Sequence, residues 1–289
     1  VPRLFSLCRH AQGAAARLSL QAARAEPARL DARLDLGLNV ALEAIAEHLH
    51  HLLISWPQMI GVPCRSNPGQ DLAFWRRRLH GAVDATTAAA LAGELTTWLD
   101  ELHSPQFDDL ASADAVALLP SLSAAGWAPR VDGEAFADLP TVAGQPAETG
   151  VLARHAGQAG VAAFLAKGRR VRARLLARHA ELRWLAQGLA DLTRVGTLVD
   201  AATVGEGCGL ARVETARGTL LHRIELAGDR VGRYLIVAPT EWNFHPQGAF
   251  VREITGCPVA THADALLAAG RLALSLDPCV PYAWSVDDA

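Results

Sequence analysis

RGTLLHRIEL at 217–226, AGDR at 227–230 and VGRYLIVAPT at 231–240 read together as two β-strands around a Gly-Asp turn. This hairpin divides the chain. After Gly196 the sequence has glycine turns and short β-like runs. Residues 261–275 return to helix, and the tail DPCVPYAWSVDDA is extended.

Before Gly196 the pattern is helical. Residues 11–25 and 29–56 read as helices, with Leu38, Leu42, Ile45, Leu49 and Leu52 at three- and four-residue intervals. Pro57 and Gly61-Val-Pro63 are expected to end the second of them. Residues 71–80 and 85–103 read as two more amphipathic helices. The stretch 104–147 is rich in Pro, Gly, Ala and Asp, and reads as irregular loops with short strands. Residues 158–196 form the clearest helical region, broken near Lys167-Gly168, with an apolar stripe and arginines on the opposite face. The arginines at 169–178 are expected to line a solvated face. The expected fold class is mainly α with a small antiparallel β-sheet in the C-terminal half (α+β). One domain is expected over 1–289, helical over 1–196 and mixed α/β over 197–289.

Composition narrows the function classes. The chain has 289 residues, 51% hydrophobic and 20% charged, which is enough to build a sizeable core. A net charge of −3 argues against nucleic acid as a partner. No stretch reaches the roughly 18 apolar residues of a membrane span. The opening VPRLFSLCRHAQ lacks the charged-then-apolar pattern of a secretory leader, so a cytoplasmic location is expected. The five cysteines (Cys8, Cys64, Cys208, Cys257 and Cys279) form neither a disulfide framework nor a C-x-x-C pair. A four-cysteine zinc site is therefore not expected.

Five segments carry chemistry, and their order matters. Glu214-Thr-Ala-Arg217-Gly218-Thr-Leu-Leu-His222 leads into the hairpin, and Pro239-Thr-Glu-Trp242-Asn243 follows it. Gly256-Cys257-Pro258-Val259 and a helix then lead into Asp277-Pro278-Cys279. Glu148-Thr-Gly150-Val-Leu-Ala-Arg154 lies upstream. The series resembles the C-terminal half of nickel–iron hydrogenase large subunits over roughly residues 148–282. There Glu-Ala-Pro-Arg-Gly, Pro-Thr-Thr-Trp-Asn, Gly-Thr-Pro-Val and Asp-Pro-Cys-x-x-Cys-x-x-His segments occur at similar spacing. At the other end, Cys8 stands at a helix start and is similar to the second cysteine of the family's N-terminal Cys-x-x-Cys. A helix start also favours a thiolate physically.

The departures from the family are specific. Phe5 stands for the first N-terminal cysteine, and Gln12 for the family's histidine. Tyr282 stands for the last cysteine, and Ser285 for the histidine at the family's cleavage point. Eleven residues follow Pro278, so no processing extension is expected. In the family four thiolates hold nickel, and two of them bridge to an iron carrying cyanide and carbon monoxide. The resemblance leaves Cys8 and Cys279 here. Two soft thiolates cannot supply that nickel site, but they can hold a pre-formed iron unit. The pattern resembles the HupK/HoxV-type accessory proteins of the superfamily, with a truncated large-subunit-like architecture. The resemblance implies a maturation scaffold, not an enzyme, that carries a transient Fe(CN)2CO-type iron unit without nickel. It also implies HypC/HypD-like maturation proteins and the hydrogenase large subunit as partners.

The resemblance implies a pocket around those sulfurs. Arg217 would project toward the diatomic ligands, with five fixed donors suited to bound cyanide. The alternative is a structural ion pair with Glu214 or Asp277. Pro239 and Thr240 would line the same pocket, Thr240 donating a hydrogen bond; a turn or cap role stays open for it. Ala216 replaces the family's proline, which leaves the loop geometry open. His48, His50 and His51 lack the i, i+4 spacing of a helical zinc pair and read as core or surface histidines. Gly205-Glu-Gly207-Cys-Gly209 reads as a glycine turn, not a nucleotide loop. Two further readings remain open: a metal-free binding module of large-subunit shape, and a divergent hydrogenase with substitute ligands.

Overall fold

Apolar periodicity in the first part of the chain becomes helix where it is expected, with one difference at Pro57. The computed structural model describes residues 8–27, 29–62, 64–82, 84–102 and 114–286. Phe5 and residues 103–113 lie outside these. Helix α1 (Arg9–Ala23) is followed by α2 (Leu30–His50). The chain does not stop at Pro57. A π turn (His51–Ser55) carries it directly into α3 (Trp56–Ile60), with Pro57 in the first turn of that helix. Proline has no N–H to donate back, so the ladder widens ahead of it instead of breaking. The helix ends at Gly61, whose φ of 69° is the left-handed cap that glycine adopts without a Cβ clash. Helices α4 (Pro68–His80) and α5 (Ala85–Asp100) follow, α5 opened by a capping box between Asp84 and Thr87.

The stretch expected to be irregular contains more order than its composition suggests. Strand β1 (Ala117–Leu118) pairs in parallel with β2 (Ala147–Glu148), and between them lie α6 (Ala124–Trp127) and α7 (Glu134–Asp138). Then come α8 (Val151–His155) and α9 (Ala159–Leu165). A break at Gly168, with φ 67°, separates α9 from α10 (Arg170–Gly188), and α11 (Leu192–Gly196) follows.

The sheet is larger than the hairpin alone. Strands β3 (Val199–Gly205), β4 (Cys208–Thr215), β5 (Gly218–Ala227) and β6 (Arg230–Val237) form an antiparallel meander in sequence order. The glycine-rich stretch at 205–209 is its first turn, with Gly207 at φ 67°. Helix α1 crosses the sheet at Gly209. A Cβ there would lie 2.3 Å from both Ser19 O and Ala23 N, so only glycine lets the helix seat. The chain closes with α12 (Pro239–Asn243), α13 (Ala249–Ile254) and α14 (His262–Leu276).

The main core lies where α1, α2, α5 and α10 meet one sheet face, around Ile45, Leu49, Leu91, Leu95, Leu182 and Leu185. Each such side chain contributes about 1.5–3 kcal/mol by leaving water. A second cluster, with Trp127 and Trp242 at 5.7 Å, covers Leu210, Leu221 and Val237 of the sheet. No helix among the described residues is long and apolar enough to cross a membrane.

The arginines of α10 are not a solvated face. Arg170, Arg174 and Arg178 are 8%, 2% and 2% exposed. They recur every fourth residue and point inward at carboxylates from distant segments. Arg174 donates to Glu148 at 2.7 and 2.8 Å and to Glu253 at 2.9 Å; Arg170 joins the same two acids. A buried charge survives only when it is paired, and here each is.

Candidate metal centre

The turn between β4 and β5 presents Arg217. Thr215 holds it: its Oγ1 accepts from the N–H of Arg217 at 3.1 Å and of Gly218 at 3.2 Å. This hydroxyl fixes the loop at the position where Ala216 replaces the family's proline. Gly218, at φ 138°, packs against Thr149, and a Cβ there would fall 2.5 Å from Thr149 Cγ2. A Cβ on Gly150, at φ 112°, would fall 2.9 Å from the carbonyl oxygen of Arg217. Two glycine turns from distant motifs therefore press back to back, and each needs the missing side chain.

Arg217 is 8% exposed and spreads its guanidinium over three partners. Nη1 donates to Cys8 Sγ at 3.1 Å, and Nη2 to Glu47 Oε2 at 2.9 Å. Nε faces Asp277 Oδ1 at 3.5 Å, yet it is buried without a hydrogen-bond partner. Burial alone would pull this guanidinium down; Asp277, Cys8 and Glu47 outweigh it and hold the charge more firmly than usual. The ion pair considered for Arg217 forms with Asp277 and Glu47. Glu214 belongs elsewhere, with Arg154 at 2.9 Å and Arg212 at 3.0 Å.

Cys8 caps the start of α1 in the left-handed conformation, at φ 54°. The expected helix-end activation of its thiol is overturned. Burial pushes the thiol up to about 12, against the pull of Arg217. The positive helix end is already engaged, because Glu43 accepts from the N–H of His10 at 2.9 Å and of Ala11 at 3.0 Å.

Asp277 ends α14, also left-handed at φ 54°. Burial raises its carboxyl, but Arg217 and Arg178 prevail and keep it ionised well below the usual range. Arg178 Nη1 reaches Asp277 Oδ2 at 3.0 Å and also His48 Nδ1 at 3.0 Å. Two residues on, Cys279 meets Thr240: its N–H donates to Thr240 Oγ1 at 3.4 Å, and its sulfur lies 3.2 Å from the same oxygen. Pro239 is buried in the first turn of α12, where a missing N–H costs nothing. Asn243 locks that helix in place, accepting from Thr149 N–H at 2.9 Å and donating to Leu276 O at 3.5 Å.

The residues singled out from sequence thus fall in two linked groups. Cys8, Arg217 and Asp277 form one contact chain; Pro239, Thr240 and Cys279 form the other, joined to it through Asp277-Pro278-Cys279. Among the described residues, no three His, Cys, Asp or Glu side chains gather as a metal-binding group. Tyr282, at the family's last cysteine position, turns to an aromatic ladder: it sits 5.3 Å from Trp284, which stacks on Phe250 at 5.0 Å. His48 and His51 are core histidines, burial keeping His48 neutral and pushing His51 down to about 3. Glu47 escaped the sequence reading. The signal was present: Glu43 and Glu47 are a carboxylate pair one turn apart on a helix otherwise read for its apolar stripe.

A family model described as nickel-dependent hydrogenase matches residues 140–284. The hydrogenase expression/formation protein HupK of Rhizobium leguminosarum bv. viciae is 34% identical, over 99% of this chain and 85% of that protein. HoxV, the expression/formation protein of Cupriavidus necator, is 32% identical over 98% and 85%. Among solved structures, a Ni-Fe-Se hydrogenase from Desulfovibrio vulgaris Hildenborough shares the fold, with a TM-score of 0.68 at 14% identity, over 96% of this chain and 87% of that one. The chain belongs to the nickel-dependent hydrogenase family, among its hydrogenase expression/formation proteins.

Proposed function

We propose that this protein is a hydrogenase maturation scaffold that carries an Fe(CN)2CO-type iron unit between Cys8 and Cys279 and passes it to the hydrogenase large subunit. The names of the relatives support a role in hydrogenase assembly. The observation that carries the finer reading is Arg217, which touches Cys8 on one side and faces Asp277, two residues before Cys279, on the other. Its buried, unpartnered Nε is a donor available to a new acceptor, and a cyanide nitrogen is one.

The chemistry is ligand exchange. Each iron–sulfur bond to a donor breaks as one to Cys8 or Cys279 forms, and the proton of the incoming thiol passes to the departing donor thiolate. Thiolates suit low-spin iron, and two of them grip less firmly than a full set, so release remains possible. Two sulfurs do not reproduce the four-sulfur nickel site. Thr240 and Pro239 would line the side of Cys279, while Asp277 holds Arg217 in position. HypC/HypD-like maturation proteins are the donors in this reading.

The test is infrared spectroscopy on protein purified anaerobically from cells that make the maturation machinery. The expected result is cyanide and carbonyl bands with sub-stoichiometric iron and no nickel, lost in both Cys8→Ala and Cys279→Ala. Bands retained in both variants would remove the scaffold reading.

A further inference from the structure

A cleft of about 530 Å³ opens beside Cys8, between the start of α1, the middle of α2 and the end of α4. Its charge is uneven. Arg9 and His10 of α1 and Arg76 and His80 of α4 line it, and all four are exposed. The two carboxylates in its wall are already engaged, Glu43 by backbone N–H groups and Glu47 by Arg217. Arg9 and Arg76 make no hydrogen bond or ion pair among the described residues. A concave site rimmed by uncommitted cations concentrates small anions.

We infer that this cleft recognises a cyanide-bearing iron complex before Cys8 ligates it, with Arg9 and Arg76 binding the outward cyanides. The inference rests on the reading of Cys8 given above and adds an entry side, between α1 and α4. Such a complex is anionic once sulfur ligands are added to it. Its cyanide nitrogens accept hydrogen bonds, which guanidinium forks supply with charge assistance. The size suits a compact metal complex and its diatomic ligands.

Ferrocyanide is the probe, because its iron is saturated and it reports the anion site without sulfur ligation. Anaerobic calorimetry at low salt should show saturable binding to the full chain. Arg76→Glu and Arg9→Glu should each weaken it about tenfold, equivalent to about 1.4 kcal/mol, while Arg76→Lys retains most of it. Arg230→Glu, an exposed charge reversal at the start of β6, should leave it unchanged. Absence of saturable binding, equal weakening by Arg230→Glu, or displacement by sulfate as readily as by ferrocyanide would overturn the inference. Infrared bands at full strength in Arg76→Glu would remove the cleft and leave the role of Cys8 standing. Bands absent from the wild type would remove the role of Cys8, and ferrocyanide binding would still decide the cleft.

Discussion

Arg217 donates to the Cys8 sulfur at 3.1 Å, across 209 residues of sequence. One guanidinium thereby ties the start of the first helix to the β4–β5 turn and, through Asp277, to the end of the last helix. Cys8 and Asp277 both hold positive φ, which non-glycine residues adopt only when the surroundings compel it. Local backbone preference is overruled at both ends of this link.

Arg217→Ala should therefore destabilise the fold. It leaves Glu47 without its ion pair and Asp277 with Arg178 alone, a change of about 3 kcal/mol for a mostly buried group. Urea unfolding should show the loss, and Arg217→Lys should recover part of it. An unchanged midpoint for Arg217→Ala would mean that the guanidinium contributes nothing to the fold.

Gly209→Ala should unseat α1, since its Cβ would meet helix backbone at 2.3 Å. The expected outcome is insoluble protein or a large fall in melting temperature. Gly205→Ala, four residues away with nothing within 4 Å, should cost little. Similar melting curves for the two variants would show that the crossing is looser than described.

Acid should weaken the α10 network at a predictable pH. Burial raises the Glu148 carboxyl, but Arg174 and Arg170 more than offset it and hold it near 2, against 4.5 when unfolded. The folded value is depressed, so its stabilisation, about 3 kcal/mol, is complete above pH 4.5 and is lost as pH falls toward 2. Glu148→Gln should flatten the stability curve over that interval while lowering its plateau. A wild-type stability constant between pH 4.5 and 2.5 would contradict this.

His222 acts at higher pH. It is fully buried, and burial pushes it down to about 3. Its Nδ1 meets the Tyr234 hydroxyl at 2.7 Å, and its Nε2 has no partner. The unfolded chain takes up this proton first, so stability falls as pH drops below about 6.5, by about 2 kcal/mol at pH 5. His222→Phe should reduce the slope measured by chemical denaturation across pH 7 to 5 by that one group's share, because the buried His48 and His51 add slopes of their own. The same slope in the variant would assign the effect to another group.

The sequence made some of this legible and hid the rest for identifiable reasons. Periodicity located α1, α2, α4 and α5, and the Gly-Asp turn located β5 and β6. Motif order singled out Arg217, Asp277 and Cys279, and the fold brings Arg217 against Asp277. The arginines at 170, 174 and 178 were misread because their partners, Glu148, Glu253 and Asp277, come from segments 22 to 99 residues away. A charge run on a helix reads the same whether it meets water or distant acids. The Cys8 thiol was misjudged for a similar reason, since the burial that pushes it up comes from segments packed around it from elsewhere in the chain.

X-ray absorption at the iron edge of freshly purified protein tests the central claim most directly. Cys8 and Cys279 bound to one iron predict two sulfur neighbours in the wild type and one in each single alanine variant. A sulfur shell that is unchanged in both variants, or iron with no sulfur neighbour at all, would contradict it.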